Sequence, residues 1–254
     1  MPSDRREKIR ELLRLSHELG REDRGMAILG EGNSSARLGD GSFMIKASGS
    51  SLGTLRAGDL VECTSGPLLP LFDRRGAGDA EVEAALEACR VDPRSKKPSI
   101  ETLFHAFFLS LPEVEFVGHT HAPAVSRILC SPQARLFASR RLFPDEVICC
   151  GEASVLVPYT DPGLPLARAI RSRTRSYMRR YRGAPRVVLL ENHGIVTLGR
   201  TPEAVLAAML MAEKAARIWL GAALLGGPHF LPAREVRRIA GRADEECRRR
   251  AMKI

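Results

Sequence analysis

Two apolar runs separated by four residues constrain this chain more than any other stretch. Arg186-Val187-Val188-Leu189-Leu190 reads as a buried strand, Glu191-Asn192-His193-Gly194 interrupts it, and Ile195-Val196-Thr197-Leu198 resumes extended structure. Two strands joined by so short a link pair directly with each other. Elsewhere the chain alternates: helix 99–111, strand 114–118, helix 122–130, strands near 147–149 and 154–157, helix 163–182 and helix 202–225. Direct strand-to-strand turns within an alternating pattern argue for a mixed sheet with helices packed on it, and against a doubly wound parallel sheet.

Upstream, residues 4–21 carry Ile9, Leu12, Leu13, Leu15 and Leu19 as most of an amphipathic helix stripe. A loop rich in small polar residues follows from Leu29 to Arg37, with Asp40-Gly41 as a hairpin signal. Phe43–Ala47 returns as a strand, Ser48-Gly49-Ser50-Ser51 forms a second small-residue loop, and Asp59–Cys63 is another short strand. Residues 65–98, rich in Pro and Gly with one helical piece near 79–90, read as a surface excursion from a single domain spanning 1–254. A basic helix is expected over about 232–250, within a C-terminal stretch reaching residue 254.

With 44% hydrophobic residues in 254, the chain can bury a substantial core. It has no apolar run near membrane-spanning length and no apolar signal region at its start, so a cytoplasmic protein without membrane attachment is expected. Six cysteines include no Cys-x-x-Cys pair, which argues against a thiolate zinc site and for reduced, core-filling thiols. Cys149 and Cys150, read as strand residues, would point to opposite faces. The net charge of +9 is concentrated in two Arg-rich stretches. With only 13 aromatic residues in the chain and no basic–aromatic interleaving of the kind that stacks bases, they read as solvated helix faces and not as a nucleic-acid site.

The chemistry gathers around His119-Thr120-His121. In a strand, residues i and i+2 share a face, so both imidazoles project to one side. Two His are either a structural pair or half a metal site. His193 is the third candidate, with Gly194 permitting a positive φ that re-aims it; the other reading is a solvated turn residue. Glu101 is the carboxylate candidate. Ser99 is a suitable N-cap for its helix, and Glu101 continues the stripe of Phe104, Phe107, Phe108 and Leu111 toward the interior. His105, one turn on, reads as a packing or supporting residue before a ligand. Three imidazoles would leave a tetrahedral zinc one open position. Such a site acts as a Lewis acid on a carbonyl, with Glu101 moving a proton. The Gly32–Ser35 and Ser48–Ser50 loops, with Ser99, could cradle an anion.

In order, "GEGNSSAR", "KASGSS", "PSIE", "GHTHAP", "VPYTDPG" and "ENHG" before a long helix resemble the class II aldolase/adducin family of sugar-phosphate aldolases and epimerases, over about residues 8–225. The resemblance implies a three-layer α/β/α single domain around a mixed, largely antiparallel sheet. It implies Zn2+ or another divalent metal on His119, His121 and His193, with Glu101 as the catalytic acid/base. Asn33, Ser34, Ser48, Gly49 and Ser99 take the family's phosphate-binding positions. It also implies a homotetramer with the active site at a subunit interface. Ile100 departs from the two serines of phosphate-gripping aldolases and removes one hydroxyl from the anion pocket. "PSIET" and "FPDE" resemble the aldolase part of bifunctional rhamnulose-type aldolase/dehydrogenases. Tyr159 and Tyr177 are candidates for the tyrosine that fuculose phosphate aldolase takes from a neighbouring subunit. The expected activity is a zinc-dependent lyase cleaving a ketose, in the first instance a ketose 1-phosphate, through an enediolate. Pentulose-phosphate 4-epimerase, methylthioribulose-phosphate-type dehydratase and a non-enzymatic adducin-like scaffold are the alternatives.

Overall fold

Successive residues of a strand face opposite sides, and here both sides are apolar. Val188 and Leu190 enter one core while Val187 and Leu189 enter another. The computed structural model describes residues 2–39, 41–242, 251, 252 and 254, with side chains from residue 5 onward. Its strands are β1 (Asn33–Gly39), β2 (Ser42–Lys46), β3 (Leu60–Thr64), β4 (Phe116–Thr120), β5 (Val155–Val157), β6 (Val187–Leu190) and β7 (Gly194–Gly199). They form one sheet in the order β3-β2-β1-β4-β7-β6-β5. Every neighbouring pair is antiparallel except β5 with β6. The mixed, largely antiparallel sheet expected from the sequence is therefore present.

The helices are α1 (Pro2–Leu19), α2 (Asp79–Ala88), α3 (Thr102–Leu109), α4 (Pro123–Leu129), α5 (Ala134–Ser139), α6 (Pro144–Cys150), α7 (Leu164–Tyr181), α8 (Pro202–Ala223) and α9 (Ala233–Ala240). The core between α2, α3, α7 and the sheet includes Phe104, Phe108, Val117, Ile170 and Val196. The opposite core, between α1, α4, α5, α6, α8 and the sheet, includes Leu15, Phe116, Ile195, Met209 and Trp219. This makes three layers. Among the described residues, no helix is long and apolar enough to cross a membrane.

Four sequence expectations change. Residues 147–149 are helical, within α6: Pro144 occupies its first turn with Asp145 and Glu146 beside it, and these start signals outweigh the strand preference of Val147-Ile148. Cys149 and Cys150 are consequently helix residues, both buried. The 65–98 segment is no surface excursion, because Leu68, Phe72, Leu86 and Cys89 complete the first core. Finally, α3 begins at Thr102, after a turn closed by the Thr102 N–H on the Ser99 carbonyl at 3.0 Å, and the Ser99 side chain caps nothing. The anticipated C-terminal helix is described as α9; residues 243–250, like Asp40 of the anticipated turn, lie outside the described residues.

Candidate metal centre and cleft

The sheet order places β4 between β1 and β7, and this brings distant polar residues onto one face. His119 lies directly opposite Asn33 on β1 and opposite Val196 on β7. Beyond the strand, the His121 N–H donates to the Met26 carbonyl at 3.0 Å. Pro123 then opens α4, whose first-turn N–H groups at Ala124 and Val125, without partners inside the helix, donate to the buried Glu213 carboxylate of α8 at 3.1 and 3.2 Å. The turn between β6 and β7 delivers His193. Its left-handed residue is Asn192, with φ 54°, and not Gly194 as the sequence suggested. Gly194 serves close approach: a Cβ there would lie 2.5 Å from the Thr120 carbonyl oxygen, 2.8 Å from His121 Cδ2 and 3.2 Å from His119 Cε1.

The three imidazoles therefore converge. Their ring centroids are 5.0 to 5.3 Å apart, and one nitrogen from each lies within 4.8 Å of the others. His119 is fully buried. Its Nδ1–H donates to the Ile195 carbonyl at 3.0 Å, which leaves the lone pair on Nε2. That Nε2 is buried with no protein hydrogen-bond partner. It faces Glu101 Oε1 at 3.5 Å, and the same oxygen lies 3.2 Å from His193 Nε2. A bare acceptor nitrogen facing a carboxylate oxygen is favourable when a cation lies between them, so these donors fit a divalent ion. His121 Nδ1 lies 3.5 Å from Glu31 Oε1, while Glu31 Oε2 accepts the Ile28 N–H at 3.1 Å.

Burial pushes the His119 imidazole down to about 4, against a partial upward pull from Glu101. Burial alone would push the Glu101 carboxyl up, but His119, His193 and the Asn33 amide outweigh it and hold that carboxyl well below the usual carboxylate range. At neutral pH the cluster thus presents a neutral His119 imidazole beside an ionised carboxylate.

Glu101 is held from behind. Asn33 Nδ2 donates to Glu101 Oε2 at 2.5 Å, and Asn33 Oδ1 accepts from His105 Nε2–H. The Ser35 hydroxyl completes the chain at His105 Nδ1, 2.6 Å away. His105 contacts Asn33 and Ser35 and lies outside the three-His cluster.

A cleft of about 280 Å³ opens beside these groups, lined by Asn33, Ser48, Gly49, Ser99, Glu101, His121 and His193. Clefts of about 430 and 550 Å³ occur elsewhere, lined by none of the three imidazoles and not by Glu101. Ser34 is the sequence candidate that does not reach the cleft. One residue along β1 from Asn33, it faces the other side of the sheet and hydrogen-bonds Ser16 of α1 at 2.6 Å. Ser48 and Gly49 do reach it, although the Ser48 N–H is already donated to the Lys97 carbonyl at 2.9 Å. The Ser99 hydroxyl is buried without a partner at the cleft wall. Ile100 lines the same wall and packs on Gly163, where a Cβ would lie 2.9 Å from Ile100 Cδ1.

Two cleft residues escaped the sequence reading. Glu31 is the one acid of the Gly-rich loop, and that isolation was its signal. Lys46 is buried, its ammonium donating to the carbonyls of Ser50 at 2.6 Å and Gly30 at 3.1 Å, and burial lowers its pKa against an upward pull from Glu101. Neither tyrosine lines this cleft. Tyr177 donates to the Ala153 carbonyl at 3.2 Å and is pushed up to about 12 by burial, while the exposed Tyr159 donates to Asp161 at 3.1 Å.

The chain is similar to known proteins in sequence and in fold. A Bacillus subtilis protein named as an uncharacterized oxidoreductase, YuxG, is 32% identical over 203 residues, covering 77% of this chain and 27% of that protein. The chain thus spans about a quarter of that relative's length. The 3-oxo-tetronate 4-phosphate decarboxylase of Haemophilus influenzae is 29% identical over 190 residues, covering 72% of this chain and 74% of that protein. The fold matches that of L-fuculose-1-phosphate aldolase from Thermus thermophilus with a TM-score of 0.60 at 17% identity, over 87% of this chain and 97% of that one. Residues 10–220 match the Class II Aldolase and Adducin N-terminal domain, and the chain belongs to that family.

Proposed function

We propose that the protein is a zinc-dependent lyase that cleaves a carbon–carbon bond adjacent to a ketone in a small ketose or ketose 1-phosphate, releasing an aldehyde. The observation that carries this reading is the buried, partnerless Nε2 of His119, aimed at a carboxylate within a cluster of three imidazoles. His119, His121 and His193 would hold the ion. When bound, a divalent ion supplies Lewis acidity that polarises a carbonyl and offsets the charge released by bond cleavage. Glu101 has its Oε2 pinned by Asn33, and its Oε1 faces the cluster as the proton-carrying atom. The Ser99 hydroxyl, lacking any protein partner, is free to donate to a substrate oxygen in the cleft. The cleft volume of about 280 Å³ suits a small polar substrate. A homotetramer is part of this reading, and light scattering on the purified protein tests it.

The Haemophilus relative named as a decarboxylase favours a second reading, in which the fragment expelled when the carbon–carbon bond breaks is carbon dioxide and not an aldehyde. Epimerase and dehydratase activities release no second carbon fragment. One experiment separates these outcomes: metal analysis of the purified protein, followed by product analysis on ketoses, ketose 1-phosphates and 3-oxo sugar acids. Glu101→Gln should lower turnover by about 10²- to 10⁴-fold with metal content near that of the wild type. Full turnover in that variant removes Glu101 from the reaction.

A further inference from the structure

Every ring nitrogen and amide atom behind Glu101 is committed, and the commitments run in one direction. Glu101 Oε2, an ionised acceptor, requires a donor, so the Asn33 NH2 must face it. The Asn33 oxygen then faces His105 Nε2, which must carry the proton. His105 Nδ1 is left as an acceptor and takes the Ser35 hydroxyl at 2.6 Å. Reversing the Asn33 amide would set its carbonyl against the carboxylate and its NH2 against an N–H. The chain of contacts therefore admits one tautomer and one amide orientation.

The surroundings keep this chain rigid. Asn33, Ser35 and His105 are all buried, and the Phe104 ring stacks on His105 with centroids 4.9 Å apart. The His105 N–H of the main chain donates to the Glu101 carbonyl at 3.2 Å, so both residues share the first turn of one helix. Burial holds the His105 imidazole neutral. An apolar side chain such as leucine would fill space beside Phe104 without the two polar partners, Asn33 and Ser35, that His105 engages.

We infer that His105 is a positioning residue for Glu101: its Nε2–H sets the Asn33 amide, and that amide sets which carboxylate oxygen is left for chemistry. The inference rests on the proposed role of Glu101. Losing the His105 donor frees the Asn33 amide to turn, Oε2 loses its partner, and the carboxylate rotates away from the cluster.

Two substitutions of similar character separate positioning from packing. Glutamine places its amide nitrogen where Nε2 stood and can still donate to Asn33. Asparagine reaches only to the Nδ1 position, keeps the Ser35 contact and loses the donor. His105→Asn should lower kcat by about 10²-fold with KM changed less than about threefold, as expected for a displaced reacting group. His105→Gln should retain kcat within about threefold, and metal content should be unchanged in both. In the metal-free wild-type protein, nitrogen-15 spectra should show His105 with a protonated Nε2 and a bare Nδ1 that do not titrate between about pH 5 and 8. Equal losses in both variants, full activity in His105→Asn, or an Nδ1–H tautomer in the wild type would each overturn the inference. Glu101→Gln measured alongside keeps the two readings apart. If it is inactive while His105→Asn is active, positioning alone fails. If Glu101→Gln is fully active, the role of Glu101 fails and the inference with it.

Discussion

His119 and His121 are two residues apart and join the same cluster, yet they are held by different parts of the molecule. His119 lies on the central strand, fully buried, and its outer nitrogen donates to a main-chain carbonyl of the neighbouring strand. His121 lies just past the strand end, partly exposed, and its outer partner is the Glu31 side chain on a loop. That loop contains Leu29 and Gly32 at φ 53° and 66°, and a Cβ at Gly32 would lie 2.6 Å from the His119 carbonyl oxygen. One half of the centre is thus fixed by the sheet ladder, and the other by a loop that also lines the cleft. The sheet half should set whether an ion binds, and the loop half how tightly it is retained.

Four measurements stress this comparison. His119→Ala should abolish stoichiometric metal binding, read by metal analysis after gel filtration, because it removes the best-oriented ligand and leaves the Glu101 carboxylate facing a cavity. Gly194→Ala should nearly match it by crowding His121 and His119 from the sheet side, with a stability loss of about 1–3 kcal/mol in denaturant titration. Glu31→Gln should act only on the loop half, weakening metal affinity by about 10- to 100-fold in a competition titration at little cost in stability. An effect of Glu31→Gln as large as that of His119→Ala would end the distinction between halves. Ser34→Ala should have the smallest effect, about 1 kcal/mol of stability from the lost Ser16 contact, with turnover unchanged.

Ser34 also shows where sequence reading stops. The convergence of residue types at the site was legible because each carries a local pattern: His at i and i+2, a third His after a buried strand, and an acid on an apolar helix face. The side of the sheet on which a residue falls was not. Read as a loop, the Gly32–Ser35 stretch offers all its side chains to one cleft. As strand β1 it sends Asn33 to the cleft and Ser34 to α1. The strand expected at 147–149 failed for a related reason, because Val147 and Ile148 suit a strand while Pro144, Asp145 and Glu146 start a helix. Gly194 was recognised as necessary but for torsional freedom, when the need comes from Thr120 and the imidazoles, which no local pattern reveals. The overall sheet was legible because β6 and β7 are continuous apolar runs parted by a short link, a pattern that declares two directly paired strands whatever packs on them.

The position of β4 in the sheet has a consequence for how the protein matures. Its two neighbours come from residues 33–39 and 194–199, so the strand cannot be paired on both sides until most of the chain has been gathered. Joining segments so distant in sequence is among the slow steps of folding. The unfolded chain offers an ion little more than His119 and His121, whereas the native chain offers three converging nitrogens beside a carboxylate. An ion that discriminates between those two states acts as a folding ligand, shifting the equilibrium by about 2.7 kcal/mol at a hundredfold excess over its dissociation constant. Metal supply in the cell would then govern how much of this protein accumulates, before it governs how fast any of it turns over.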